Sequence, residues 1–285
     1  MMRIVIAADD IYAIHAGVLL ASLREHAPEA ETVLLHTGMS PENLAKLAVS
    51  EAVMIPGGQL AGLPARGHIT RTAYLRLLAA DVLPDDRVLY LDTDTVAASS
   101  LSPLLEAEYS DDFYLYAAEE AAADFKGQIG MDAKTPYFNS GVMVMNLEKW
   151  RRDGFSAVVF ERSRRFGSGQ LFHDQDSLNA VLNGRFGLLD PRWNVNHGVV
   201  DSRYWGKFAV CRREELEAAR RDPGIVHFSY GKPWEYGCPH PWRKLYWDFR
   251  KKSPWPEGKP SGFTWRKFFA RRRAVLSEFL RGAWR

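Results

Sequence analysis

Asp92 and Asp94 flank Thr93 directly after the apolar run Val88-Leu89-Tyr90-Leu91. Such a run reads as a buried strand, so the two acids stand where that strand ends and the chain becomes exposed. Carboxylates at i and i+2 in that position can share one hard divalent cation, which in turn can hold a diphosphate. His227, at the end of Ile225-Val226, offers a third ligand, and Lys232 a few residues on is within reach of the phosphates. The plainer readings are a surface turn for the acids and a core histidine between Val226 and Phe228.

The elements that must position these residues alternate. Residues 3–8 read as a buried strand, 13–25 as a helix closed by His26-Ala27-Pro28, and 32–36 as a second strand. Ser40-Pro41-Glu42 supplies an N-cap, a proline at the first helical position and an acidic first turn. The order βαβα predicts an α/β fold with a mostly parallel, Rossmann-like sheet flanked by helices, whose ligands lie at the carboxyl ends of the strands. Asp9, Asp10, Asp92 and Asp94 all fall at such ends. Further on, the pattern predicts a helix over 70–83, strands over 113–118 and 142–146, a loop or helix over 119–135, helices over 156–166 and 176–182, and a short strand over 225–228.

At 285 residues, with 46% hydrophobic and 25% charged residues, the chain suits one large domain with a tail. No apolar stretch approaches the length of a membrane span, and the apolar start ends in Asp9-Asp10 unlike a signal peptide, so a cytoplasmic protein is expected. Cys211 and Cys238 lack zinc or disulfide spacing. Residues 242–285 hold thirteen Lys or Arg against three acidic residues, a net of +10, which leaves −8 for residues 1–241 of a chain at +2. We therefore divide the chain at 241/242. In the tail, Phe263, Trp265, Phe268, Phe269 and Trp284 alternate with Arg266, Lys267, Arg271, Arg272 and Arg273. A helix so composed lies on an anionic membrane surface; nucleic acid is not the expected partner.

A diphosphate leaving group gathers negative charge as a sugar bond breaks, so transfer from a nucleotide-sugar needs a cation and positive donors around it. Six motifs, in order, carry a resemblance to that chemistry: Ala7-Ala8-Asp9-Asp10, residues 71–76, Leu91-Asp92-Thr93-Asp94, Phe138-Asn139-Ser140-Gly141-Val142, Asp174-Gln175-Asp176, and His227-Phe228 with Lys232-Pro233-Trp234. The chain resembles the family 8 retaining glycosyltransferases of the GT-A fold, in particular bacterial lipooligosaccharide and lipopolysaccharide galactosyl- or glucosyltransferases. The resemblance implies Mn²⁺ (or Mg²⁺) on Asp92, Asp94 and His227. It implies that Asp9 binds uridine with Tyr12 as the stacking ring, that Asn139 and Gly141 line the sugar pocket with Asp174 and Gln175, and that Arg76 and Lys232 contact the diphosphate. Two departures are Ile11, where the family usually has Asn, and a His227-to-Lys232 spacing one residue short.

The expected reaction is retaining transfer of a hexose from UDP-galactose or UDP-glucose to a glycan or glycolipid, with the lipopolysaccharide core as acceptor at the inner face of the cell membrane. Front-face attack is preferred over double displacement because Gln175, the residue implied nearest the anomeric carbon, is a poor nucleophile. Two rivals remain at this stage. Asp92 and Asp94 also fit the nucleophile and acid/base of a haloacid-dehalogenase-type phosphatase, although that motif usually opens its domain. Ile11 and the short spacing also suit a nucleotide-sugar-binding protein without catalysis.

Overall fold

The computed structural model describes residues 2–63, 71–122, 125–166, 172–266, 269 and 272–273. Strands β1 (Arg3–Ala7), β2 (Thr32–His36), β3 (Glu51–Met54), β4 (Arg87–Leu91), β6 (Leu115–Glu119), β7 (Phe138–Asn146) and β8 (Gly187–Leu188) form a seven-stranded sheet in the order β3-β2-β1-β4-β7-β6-β8. Strands β3, β2, β1 and β4 run parallel, β7 is antiparallel to both neighbours, and β8 is parallel to β6. The alternating side chains of each strand feed two cores. Val5, Val33, Val88, Tyr90 and Met143 face one, under helices α5 (Leu147–Arg152), α6 (Phe155–Phe166) and α7 (His173–Leu182). Ile4, Ile6, Leu34, Leu89 and Val144 face the other, under α1 (Ala13–His26), α2 (Pro41–Leu47) and α4 (Ser102–Leu105).

Helix α1 is buried on more than one side, which its Ala-, Gly- and Leu-rich sequence permits. One face meets the sheet. Val18 and Ala21 meet a third, smaller core with β5 (Thr95–Ala97), β9 (Ile225–His227) and α10 (Arg243–Lys252). A Cβ at Gly17 would come within 2.7 Å of the Trp255 ring, so the absence of a side chain there lets the C-terminal segment close on the helix. Tyr246 and Phe249 of α10 are buried in this core. The basic stretch beginning at residue 242 thus opens with a helix packed on the body, and Ser261 continues the attachment through hydrogen bonds with Trp234 and Tyr236 (2.8 Å each). Most of the aromatic, basic segment after residue 266 lies outside the described residues.

Several boundaries differ from the sequence pattern. The helix expected over 70–83 is a 3₁₀ stretch, Arg71–Leu78, followed by one α-turn, α3 (Ala79–Val82); its residue 70 lies outside the described residues. Three residues per turn eclipse positions three apart, which sets Ala73 and Arg76 on one edge. Strand β7 begins at Phe138 rather than 142, because the polar Asn139-Ser140 pair finds buried hydrogen-bond partners. Helix α7 begins at His173, bringing Asp174 and Gln175 into its first turn. The final short strand pairs with β5 instead of entering the main sheet. Between 119 and 135 the described residues hold one 3₁₀ turn, Lys126–Ile129.

Candidate active site

The topology gathers the chemistry at one edge. Strand β4 delivers Asp92, and antiparallel pairing with β7 sets Gly141 beside it, with Asp92 N–H donating to Gly141 O at 2.8 Å. The β5–β9 pairing puts Thr95 opposite His227, and Phe228 N–H donates to Asp94 O at 3.0 Å. One ligand atom each from Asp92, Asp94 and His227 therefore lie within 4.8 Å of one another. The three open onto a cavity of about 470 Å³, also lined by Tyr12, Arg76, Asn139, Asp174, Gln175 and Lys232. Asp9 and Gly141 are not among its lining residues. Asp9 instead accepts from Tyr12 N–H (3.0 Å) and the Thr72 hydroxyl (3.1 Å), so it fixes two residues that do line the cavity. Asp10 accepts from Ser40 and Asn43 at the start of α2. Ile11 points into solvent at 76% exposure.

Arg76 is buried and organises the wall. Its guanidinium meets Asp92 Oδ1 at 2.8 Å, donates to Ser140 O at 2.6 Å and lies 4.6 Å from the Tyr90 ring centre. Burial opposes its charge, but Asp174 and Asp92 more than compensate and raise its pKa. Asp174 Oδ2 stands 3.1 Å from Arg76 Nε, yet that N–H is directed at Ala73 O (2.8 Å). The buried Oδ2 consequently accepts no hydrogen bond among the described residues. Burial pushes the Asp174 carboxyl up to about 6, against the pull of Arg76. Gln175 is engaged at both ends, accepting from Ser140 N–H (2.9 Å) and donating to the Tyr137 hydroxyl (3.0 Å).

Lys232 is partly buried; its ammonium bonds Asp94 Oδ2 and donates to Phe228 O at 3.1 Å. Burial would raise the Asp94 carboxyl, but its charged surroundings, the Lys232 ammonium foremost, hold it well below the usual range. Behind Lys232, Trp234 stacks on His15 with ring centres 3.4 Å apart, and Tyr12 meets Trp234 edge-on at 6.2 Å.

The residues fit a divalent cation. The trio offers two carboxylates and an imidazole with no thiolate, a donor set suited to a divalent cation. The space beside it is also kept clear, since a Cβ on Gly141 would fall 2.3 Å from His227 Cε1 and 2.9 Å from Asp92 Oδ2. Asp92 Oδ1 is already engaged by Arg76 and by the Tyr90 hydroxyl (3.0 Å).

Sequence patterning did not single out Tyr90, Ser140 or Asn194, which hold the recognised residues from behind. Nor did it single out the rim of Phe125, Phe172, His197, Tyr204, Lys207 and Tyr230. For Asn194 the available signal was the nearby second asparagine, Asn196, in an otherwise apolar Trp193-Val195 setting. Of the two acids at 119 and 120, Glu120 lines the cavity. Glu119 turns away, its buried carboxylate accepting from the backbone N–H groups of Ala209, Val210 and Cys211.

The chain as a whole has relatives. General stress protein A of Bacillus subtilis is 28% identical over 274 residues, covering 90% of this chain and 95% of its own length. A lipopolysaccharide 1,3-galactosyltransferase of Salmonella typhimurium is 26% identical over 226 residues, covering 75% of this chain and 65% of the relative. A crystal structure of the galactosyltransferase LgtC with donor and acceptor sugar analogues superposes with a TM-score of 0.76 at 24% identity, covering 94% of this chain and 100% of that one, and so shares the GT-A fold. The family model described as Glycosyl transferase family 8 matches residues 3–238, and the chain belongs to that family of glycosyltransferases.

Proposed function

We propose that the protein is a metal-dependent, retaining hexosyltransferase that uses UDP-galactose or UDP-glucose. The observation carrying this reading is the convergence of Asp92, Asp94 and His227 on one cavity wall, with Arg76 and Lys232 alongside. Bound there, Mn²⁺ supplies Lewis-acid stabilisation of the departing diphosphate. Lys232 exchanges Asp94 for a phosphate oxygen, Tyr12 packs on the uracil, and Asp9 supports the uridine by fixing Tyr12 and Thr72. The Asp174 carboxylate, lining the cavity beside Arg76, accepts a hydrogen bond from a hydroxyl of the transferred sugar, with Asn139 as its neighbour in the sugar pocket and Gly141 keeping the metal side clear. The doubly engaged amide of Gln175 is ill suited to act as a nucleophile, which supports front-face attack with the leaving phosphate taking the acceptor proton.

The acceptor enters past the aromatic rim and is a glycan, in our reading the lipopolysaccharide core. Among the described residues no helix is long and apolar enough to cross a membrane. The exposed Phe263, Trp265 and Phe269, with Arg266, Arg272 and Arg273, support docking of a cytoplasmic enzyme on an anionic inner leaflet. UDP release with each UDP-hexose, with and without Mn²⁺, tests the activity; no release with any donor would defeat catalysis and leave a binding role. Co-sedimentation with phosphatidylglycerol vesicles, unchanged after deletion of residues 263–285, would defeat the membrane role.

A further inference from the structure

The proton pattern behind His227 can be read from the backbone outward. Gly141 N–H donates to the Asn139 side chain at 2.9 Å, and a backbone amide can only donate, so the Asn139 atom there is Oδ1. Asn194 meets that same oxygen at 2.9 Å and must present its NH₂ group to it. The other end of the Asn194 amide, Oδ1, then faces His227 Nδ1 at 2.9 Å. An oxygen without a proton requires a donor, so Nδ1 carries the hydrogen. In the neutral imidazole Nε2 is then a bare lone pair, and it faces Asp94 Oδ1 at 3.3 Å.

The far end of the chain is fixed independently. Gly198 N–H donates to Asn196 Oδ1 at 2.9 Å, which turns the Asn196 NH₂ towards Glu120 Oε2 at 3.1 Å. Asn139 Nδ2 donates to the same carboxylate oxygen at 2.8 Å. Asn139, Asn194, Asn196 and His227 are all buried, so water does not compete for these bonds and none of the three amides can turn over without losing a partner.

Building on the metal reading above, we propose that Asn194, itself oriented by Asn139, is a positioning residue that locks His227 in the Nδ1–H tautomer. The bare Nε2 then joins the carboxylates of Asp92 and Asp94 as the third ligand atom of one cation site. Partners of this kind behind a ligating histidine change metal affinity by about 10- to 100-fold.

The test needs no variant in its first arm. Metal-free protein carrying ¹⁵N-histidine is examined at pH 8.5 by long-range ¹H–¹⁵N correlation, with His227 identified by its disappearance in His227→Gln. The expected spectrum shows a protonated Nδ1 and an unprotonated Nε2; an Nε2–H tautomer overturns the proposal. In the second arm Mn²⁺ is titrated by electron paramagnetic resonance into the parent and Asn194→Leu. About 10- to 100-fold weaker uptake by the variant, with an unchanged amide spectrum elsewhere, supports the lock; equal uptake overturns it. If the parent itself takes up no Mn²⁺, the metal reading fails, while the tautomer arm still decides the assignment of Asn194.

Discussion

On the inner wall of the cavity Arg76, Asp92, Asn139 and Gln175 are each held by two or more polar partners, whereas at its rim Phe125, Phe172, His197, Tyr204 and Tyr230 meet ring against ring. The wall comes from strand ends, the 3₁₀ stretch Arg71–Leu78 and the first turn of α7. The rim comes from connections, and Tyr230 is 64% exposed. Dense charge-assisted bonding fixes groups before a charged ligand arrives, which suits stabilisation of a leaving group. Flat apolar rings offer stacking area with little directional demand, which suits a sugar ring entering from solvent. In the proposed reaction the wall would serve bond breaking and the rim the choice of acceptor.

The sharpest break of that contrast is Asp94→Ala. Transfer should fall about a thousandfold or more in kcat, measured as UDP release with saturating acceptor, because the cation site loses a charged ligand. Next comes Gly141→Ala, whose Cβ would intrude 2.3 Å from His227 Cε1. Mn²⁺ affinity and transfer should each drop about a hundredfold with the far-ultraviolet spectrum intact; unchanged affinity would place the metal elsewhere.

A third prediction concerns the scaffold behind Lys232. Burial lowers the pKa of His15 and of His240 to about 3. Both are therefore neutral when folded but protonate near 6.5 when unfolded, so their contribution is complete above that value and is lost as pH falls through it. Urea unfolding should show a stability loss of about 2 kcal/mol per histidine between pH 7 and pH 5. A flat profile would contradict their burial. The smallest expected effect is at the rim: Tyr230→Ala should raise the acceptor KM by up to about tenfold while donor hydrolysis without acceptor stays unchanged. A matching fall in donor hydrolysis would erase the distinction between wall and rim.

The same division explains what the sequence reveals. Strands β1, β2 and β4 were legible because buried parallel strands are continuous apolar runs, and the acids after them mark where burial stops. Arg76, Asn139, Asp174 and Gln175 were identified through motif order. Their local geometry was not, because the 3₁₀ winding of Arg71–Leu78 and the early start of α7 answer to tertiary partners rather than to propensity. Asn194 carries no periodic signal; its meaning depends on which atoms of Asn139 and His227 it meets. The rim rings were invisible for a related reason, being spread from Phe125 to Tyr230 across connections whose approach only the fold creates. Helix α10 was hidden by its charge: a net-basic segment reads as a tail, yet Tyr246 and Phe249 turn inward against α1.

The central claim is that Asp92, Asp94 and His227 grip a cation that holds a uridine diphosphate sugar. Calorimetric titration of UDP-galactose and UDP-glucose into the protein, with and without Mn²⁺ and repeated on Asp94→Ala, tests it most directly. Uptake of at least one donor should be strengthened by Mn²⁺ in the parent protein and not in the variant. Binding of neither donor in the presence of Mn²⁺, or the same Mn²⁺ enhancement in Asp94→Ala, would contradict it.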